Sequence, residues 1–284
     1  MLWMDQTSRM VRSALVLGVL SLAALGATNP VWAQSSPGGP GYLTTVELHL
    51  PTQDQGDSFT FTGTPGQYVS VTMQASASEQ PSTITAVQII ILAPDFSLVA
   101  NTVATNFSCN LSAVGCYGNA VINLGPLPTY SAGTTYTVLA TPTQGTGNLV
   151  FNVDNPFPYP AGPTVNGGPD THLVLYPGQG GTMPIALTAG QQYTLFLSET
   201  GGNLPVLQGT LLSPTGTTVT TLNMTATCSA SCNLFGYSGG STAFFTAPVT
   251  GTYTLLVQQE TQTSGNSDYG PIDGDSITVQ IISP

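Results

Sequence analysis

Basic residues are nearly missing from this chain of 284 residues, which carries 2 Lys+Arg, 13 Asp+Glu and 2 His. Both basic residues, Arg9 and Arg12, lie close to the N-terminus. Because Lys and Arg neutralise phosphates, their scarcity excludes nucleic-acid binding, electrostatic docking on anionic membranes and basic clamps on nucleotides. Charged residues make up 5% of the chain and hydrophobic residues 41%, which excludes a charge-rich disordered polymer.

The N-terminal segment predicts export. Arg9 and Arg12 precede an apolar run from Ala14 to Leu25, and Val31-Trp32-Ala33 resembles a signal-peptidase site. We expect a signal peptide over residues 1–33; the alternative is an uncleaved N-terminal anchor. The run is too short for a helix that spans a bilayer, so no transmembrane segment is expected after cleavage. The expected location is therefore extracellular, at the cell surface or periplasmic.

The rest of the chain consists of two copies of a sequence repeat. The segment Thr64–Met73 matches Thr188–Leu197, and two further landmarks recur in the same order. These are Val87–Pro94 with Leu207–Pro214, and Ala132–Leu139 with Thr250–Leu256. We expect a flexible N-terminus over 34–41, a first domain over 42–155, a Pro/Gly-rich linker over 156–168 and a second domain over 169–284.

Both copies read as strands. Val69, Val71 and Met73 alternate with Ser70 and Thr72, which is the period of two that is typical of a half-buried strand. A sheet with one apolar face must cover that face with another layer. The predicted fold class is therefore all-β, with two tandem antiparallel β-sandwich domains of jelly-roll-like type after the signal peptide.

The recurring phrases resemble a known family. A Gly-Gln turn followed by an alternating strand, a Pro turn, a Gly-Thr-Tyr strand and a closing alternating strand occur in both copies. This order is similar to the bacterial pre-peptidase C-terminal (PPC) domain, a jelly-roll-like β-sandwich that is commonly appended to secreted proteases. The resemblance implies accessory modules, some of which bind substrate or Ca²⁺. The departure from the family is that we expect no catalytic domain before the modules.

The four cysteines fall as one local pair in each copy. Cys109 and Cys116 lie in the first, and Cys228 and Cys232 lie in the second. In an exported protein this spacing predicts two disulfides within the domains, 109–116 and 228–232. A zinc site shared between the copies is the alternative, and it would need ligand spacing that the chain lacks.

An acidic loop before the last strand is the best metal candidate. Asp268, Asp273 and Asp275 lie within ten residues that also contain Gly turns. Ca²⁺ takes six to eight oxygen ligands, which such a loop can supply. The alternative is a solvated acidic loop, and no other cofactor is expected.

Catalytic residues are not evident. The segment Gly236–Gly240 matches the pattern G-x-S-x-G, but a nucleophile elbow needs a strand-to-helix turn. The two possible triad bases, His49 and His172, do not fall at equivalent positions of the copies. We therefore predict no catalytic residues.

These observations predict a secreted, non-catalytic binding or structural protein that contacts extracellular glycans or protein surfaces. Aromatic rings stack on sugar faces, and four tyrosines lie in or near predicted loops: Tyr117, Tyr130, Tyr237 and Tyr269. Two alternatives stay open. One is a hydrolase that uses carboxylates distant in sequence, and the other is an assembly subunit in which residues 34–42 add to a neighbour's sheet.

Overall fold

A computed structural model describes residues 42–75, 83–105, 108–109, 116–174, 180–200, 206–225, 227–228, 237–260 and 275–284. The predicted signal peptide and residues 34–41, which we expect to be flexible, lie outside these ranges. Every regular element within the ranges is a strand, so the all-β prediction is confirmed. None of these residues forms a helix with the length and apolarity needed to cross a bilayer.

The first half of the chain forms two sheets. Sheet I has the strand order β1-β9-β3-β7-β6 and sheet II the order β2-β8-β4-β5, all antiparallel. The strands are β1 (Tyr42–Leu50), β2 (Asp57–Thr62), β3 (Val69–Ala75), β4 (Ala86–Leu92), β5 (Leu98–Thr105), β6 (Ser108–Cys109), β7 (Cys116–Leu124), β8 (Thr135–Gln144) and β9 (Gly147–Asp154).

The second half forms two more sheets. Sheet III has the order β10-β12-β18-β14-β15 and sheet IV the order β11-β19-β13-β17-β16. The strands are β10 (Phe157–Pro158), β11 (Asp170–Val174), β12 (Gly181–Leu187), β13 (Gln192–Thr200), β14 (Val206–Leu212), β15 (Thr218–Thr225), β16 (Thr227–Cys228), β17 (Tyr237–Thr246), β18 (Gly251–Glu260) and β19 (Asp275–Ile282).

Each pair of sheets encloses its own apolar core. Alternation along β3 buries Val69, Val71 and Met73 between sheets I and II, and Phe59 meets Phe151 across that gap at a centroid distance of 5.3 Å. The second core uses the same parity between sheets III and IV. We call the two layered units the first and the second sandwich.

The repeat extends from the sequence to strand order and turn hydrogen bonds. Strands β1, β9, β3, β7 and β6 of sheet I correspond to β11, β19, β13, β17 and β16 of sheet IV. Gly66 and Gly190 open the turn before β3 and β13 with φ of 82° and 76°, values that favour glycine. Their N–H groups donate to Leu127 at 2.7 Å and to Ala247 at 2.8 Å. The two copies are therefore built alike at the level of single bonds.

The predicted linker is partly paired. The N–H of Phe157 donates to the carbonyl of Gly180, and that of Tyr159 to the carbonyl of Thr182, both at 2.9 Å. These bonds place β10 parallel to β12 at the edge of sheet III, a departure from the antiparallel pairing expected throughout. The joint between the sandwiches is thus anchored to the second one.

Candidate functional site

The outer face of sheet IV carries an open groove of about 260 Å³. Its floor is built from β13, where core-facing residues alternate with outward-facing Phe196 and Ser198. Strand β17 forms one side and β19 the other. The lining residues are Pro169, Phe196, Leu197, Ser198, Gly240, Ser241, Thr242, Thr278 and Gln280.

A bare glycine and an exposed phenylalanine shape this groove. Gly240 lies opposite Ser198 in the β13–β17 register, and its lack of a side chain leaves the groove open. Four residues further along β17 and on the same face, Phe244 lies opposite Thr194 and is 80% exposed. Single exposed apolar side chains are common at protein surfaces, but Phe244 adds apolar area on the same outward face as Phe196, which lines the groove.

Hydroxyl and amide groups surround the ring of Phe196. The hydroxyl of Thr278 lies 2.9 Å from that of Thr171, and Nε2 of Gln280 donates to the carbonyl of Gly167 at 3.4 Å. The lining includes no charged side chain. The groove therefore offers apolar contact and neutral hydrogen bonding, and little Coulombic attraction.

The corresponding face of the first sandwich is covered. Ser70 and Thr72 point away from the core of the first sandwich, yet they are only 1% and 2% exposed. Asn123 donates from Nδ2 to the carbonyl of Gln259 at 2.5 Å, and its Oδ1 accepts from Nε2 of Gln258 at 3.3 Å. Sheet I thus packs its outer face against β18 of the second sandwich through polar side chains.

A buried carboxyl group, that of Asp154, lies on that covered face. Asp154 is 3% exposed, and its Oδ2 has no hydrogen-bond partner among the residues that the structure describes. It lies opposite Ser70 in the β3–β9 register, and the N–H of Asn155 donates to its Oδ1 at 2.7 Å. Burial raises the pKa of Asp154 to about 7, and the bond from Asn155 opposes that rise. The protonated form is therefore favoured at this position.

The two histidines have separate structural settings. His49 on β1 is exposed, and its Nδ1 lies 2.5 Å from Oδ1 of Asn148. His172 on β11 faces inward, where its ring packs against Tyr159 at 4.4 Å. Its Nε2 lies 3.1 Å from Oδ2 of Asp170, at an angle that does not make a hydrogen bond. Neither ring lines the groove.

His172 and Asp170 occupy core positions of the repeat. His172 pairs with Ile277 and Asp170 with Val279, whereas apolar Leu48 and Val46 hold the matching register positions in β1. Tyr159 closes over this polar pair at the sandwich edge. The arrangement places two polar side chains where the first repeat has two apolar ones, and it is explained as packing.

The segment that matches G-x-S-x-G is a strand where the structure describes it. Residues 237–240 belong to β17, and residues 238–240 pair with β13, with Ser238 opposite Thr200. A nucleophile elbow would place the serine at a turn into a helix. The described backbone therefore differs from that arrangement.

The cysteine predictions are only partly within the described residues. The backbone register places Cys109 directly opposite Cys116 in the β6–β7 pair. Opposed residues of an antiparallel pair have Cα atoms about 4.5–5.5 Å apart, which lies within the range that disulfides span. Cys228 lies opposite Tyr237, and Cys232 is outside the described ranges. Both disulfides remain predictions.

The proposed Ca²⁺ ligands fall at the margin of the structure. Asp268 and Asp273 lie outside the described residues, and Asp275 begins β19 opposite Val174. Among the residues that the structure describes, no group of three or more His, Cys, Asp or Glu side chains is placed to hold a metal. The calcium site therefore stays a prediction.

The aromatic residues of the groove were missed by the sequence analysis, which favoured loop tyrosines. Tyr130 is the one of those four whose side chain lies within the described residues, and it packs edge-on against Tyr136 at 6.1 Å. The alternation of side chains along β13 could have identified Phe196. It lies between the core residues Leu195 and Leu197, so its side chain points outward. The aromatic ring that lines the groove is therefore carried by a strand.

Comparisons with known proteins add little. No family profile and no curated protein matches the chain. A tandem CBM22-1–CBM22-2 structure from Paenibacillus barcinonensis Xyn10C is 10% identical, with 89% of this chain and 90% of that one covered at a TM-score of 0.26. A putative secreted protein from Eubacterium rectale is 9% identical, with 83% and 72% covered at 0.27. These low TM-scores support no conclusion about ligand or activity.

Proposed function

We propose that this is an exported, non-catalytic protein that works by binding a partner surface through the outer face of sheet IV. It consists of two modules similar to the PPC domain and acts outside the cytoplasm. The observation that carries the proposal is Phe244, which stands exposed beside an open groove. The same position of the first repeat holds Asn123, which is engaged by the second sandwich.

The chemistry of this face favours an uncharged partner. Phe196 and Phe244 offer apolar area, while Ser198, Thr242 and Gln280 offer neutral donors and acceptors. Because the chain has only 2 Lys+Arg, both near the N-terminus, cation-based recognition of an acidic partner contributes little. Neutral glycans and uncharged protein surfaces both fit this description.

The hydrolase alternative has less support. A catalytic carboxyl with a raised pKa is expected in a cleft that substrate can enter. Asp154 has the raised pKa, but it is buried and does not line the groove. The proposal therefore includes no catalytic residue and needs no cofactor, and Ca²⁺ binding by the acidic loop remains a separate proposal.

The test compares binding by variants of the face with binding by a matched control. Phe244→Ala removes the exposed ring, and Gly240→Leu fills the groove with a side chain whose Cβ makes only ordinary contacts, at 3.6 Å or more. Val249→Ala removes an exposed apolar side chain from the turn after β17.

Neutral glycan arrays and concentration-dependent light scattering then report on ligand and protein partners, and a hydrolase panel reports on turnover. Binding that is lost in Phe244→Ala and Gly240→Leu but kept in Val249→Ala supports the proposal. Equal behaviour of all the variants in every assay, or turnover by the unmodified protein, would overturn it.

A further inference from the structure

We propose that the outer face of sheet IV binds the outer face of sheet II of a second copy of this chain, so that copies assemble head to tail. This inference rests on the proposed function, because it names the partner of the same contact surface. Its basis is the contact that the two repeats already make with each other.

That internal contact joins unlike faces of the repeat. The first sandwich uses sheet I, and the second uses sheet III, through the hydrogen bonds of Asn123 and Gln258. Sheet IV corresponds to sheet I, and sheet II corresponds to sheet III. One face of each kind is therefore engaged inside the chain. On the other face of each kind, sheet IV and sheet II, the part of the chain that the structure describes places no neighbouring sandwich.

The repeat identifies which residues would meet. Ser70 matches Thr194 in sequence, and their cross-strand neighbours are Asn123 and Phe244. Likewise Gln88 matches Gln208, and these two lie opposite Thr141 and Gln258. The internal contact of Asn123 with Gln258 thus predicts a contact of Phe244 with Thr141 of the next copy.

The outer faces of sheet IV and sheet II both carry apolar side chains with exposed area, unlike the faces that meet inside the chain. The internal contact is polar, because Ser70, Asn123 and Gln258 share hydrogen bonds across it. At the ends, Phe244 on sheet IV is exposed, and Leu139 on sheet II is partly exposed next to Thr141. Apolar side chains at both ends would be buried by the proposed contact.

The contact joins two different faces, so it is heterologous. Such a contact forms an open filament unless the rotation between copies closes a ring. Growth at both ends is the expected behaviour.

The first test uses complementary blocked variants of the whole protein. Phe244→Glu blocks the sheet IV face and Thr141→Glu blocks the sheet II face, while Val249→Glu is the control outside both faces. By light scattering, we expect the unmodified protein and the control to gain mass with concentration. Each blocked variant alone should stay monomeric, and an equimolar mixture of the two should give a dimer and nothing larger. Circular dichroism checks that every variant is folded.

The second test uses cysteine cross-linking to determine whether position 244 of one copy lies next to position 141 of another. A mixture of Phe244→Cys with Thr141→Cys should form a disulfide-linked dimer under mild oxidation, whereas Val249→Cys with Thr141→Cys should not. An unmodified protein that stays monomeric at its highest soluble concentration, or equal cross-linking of both mixtures, would overturn the head-to-tail contact. If a glycan then still binds through Phe244, the proposed function survives and only its partner is wrong; if no ligand depends on Phe244, both fail.

Discussion

The hydroxyl of Tyr253 is tied to both backbone groups of Val249. It donates to the carbonyl at 2.7 Å and accepts from the N–H at 3.2 Å, while the ring is fully buried in the second core. One side chain therefore fills the core and also fastens the turn between β17 and β18.

Replacing Tyr253 with phenylalanine tests that double role. Tyr253→Phe keeps the ring and removes the two hydrogen bonds, so we expect the free energy of unfolding to fall by about 1 kcal/mol. Urea denaturation followed by fluorescence measures the change. A midpoint equal to that of the unmodified protein would show that the bonds to Val249 add nothing to stability.

Phe96 stands where the second repeat has a glycine. Its φ is 63° and that of Gly216 is 80°, and both N–H groups close the Pro turn, onto Ala93 at 2.9 Å and Ser213 at 2.8 Å. A left-handed conformation costs a non-glycine residue about 1–2 kcal/mol. Because Phe96 is 70% exposed, little burial offsets that cost.

We therefore expect Phe96→Gly to raise stability by up to about 1 kcal/mol, after the greater chain entropy of glycine is counted. Gly216→Ala is the matched control; its added Cβ meets nothing within 4 Å, so backbone strain alone should lower stability. Thermal unfolding of both variants measures the two signs. A loss of stability in Phe96→Gly would mean that the exposed ring makes a contact of its own.

The local features of the repeat could be predicted from the sequence. Which outer face of each sandwich is covered by the other sandwich could not. Gly66 and Gly190 mark the same turn, and the parity of Val69, Val71 and Met73 defines the inner side of β3. Which outer face becomes covered depends on packing between segments far apart in sequence. Asn123 meets Gln258 across 135 positions, and no local pattern distinguishes its covered strand from that of Phe244.

The first cysteine pair predicts a disulfide whose presence and effect on stability can be measured. Because Cys109 lies opposite Cys116 in the register, mass spectrometry of the unreduced protein should find these two residues in one cross-linked peptide. A loop of this size predicts a loss of about 2 kcal/mol when both are changed to serine. Free thiols at both positions in protein purified from an oxidising compartment would contradict the prediction.

The acidic loop predicts a weak calcium site. Calorimetric titration of the protein with Ca²⁺ should show binding that Asp273→Asn with Asp275→Asn abolishes, since carboxylate oxygens dominate Ca²⁺ affinity. The variant Asp54→Asn with Asp57→Asn changes two acids of the first repeat and serves as the charge-matched control. Absence of heat at millimolar Ca²⁺ would reduce the loop to a solvated acidic segment.

The raised pKa of Asp154 predicts that the free energy of unfolding falls as the pH rises. Burial raises its pKa from 3.8 to about 7, so below pH 3.8 the carboxyl is neutral in the folded and the unfolded chain. Between these two values the unfolded chain has lost the proton while the folded protein still holds it. Stability therefore declines across this window and levels off above it, by roughly 4 kcal/mol in all.

Asp154→Asn removes that decline while its amide oxygen keeps the bond from Asn155. The variant should match the unmodified protein near pH 4 and exceed it in free energy of unfolding at pH 8, as measured by urea denaturation at a series of pH values. Asp95→Asn is the control, because Asp95 is exposed and bonds to Ser97 lower its pKa. A difference between Asp154→Asn and the unmodified protein that stays constant from pH 4 to pH 8 would show that the carboxyl is ionised inside the fold.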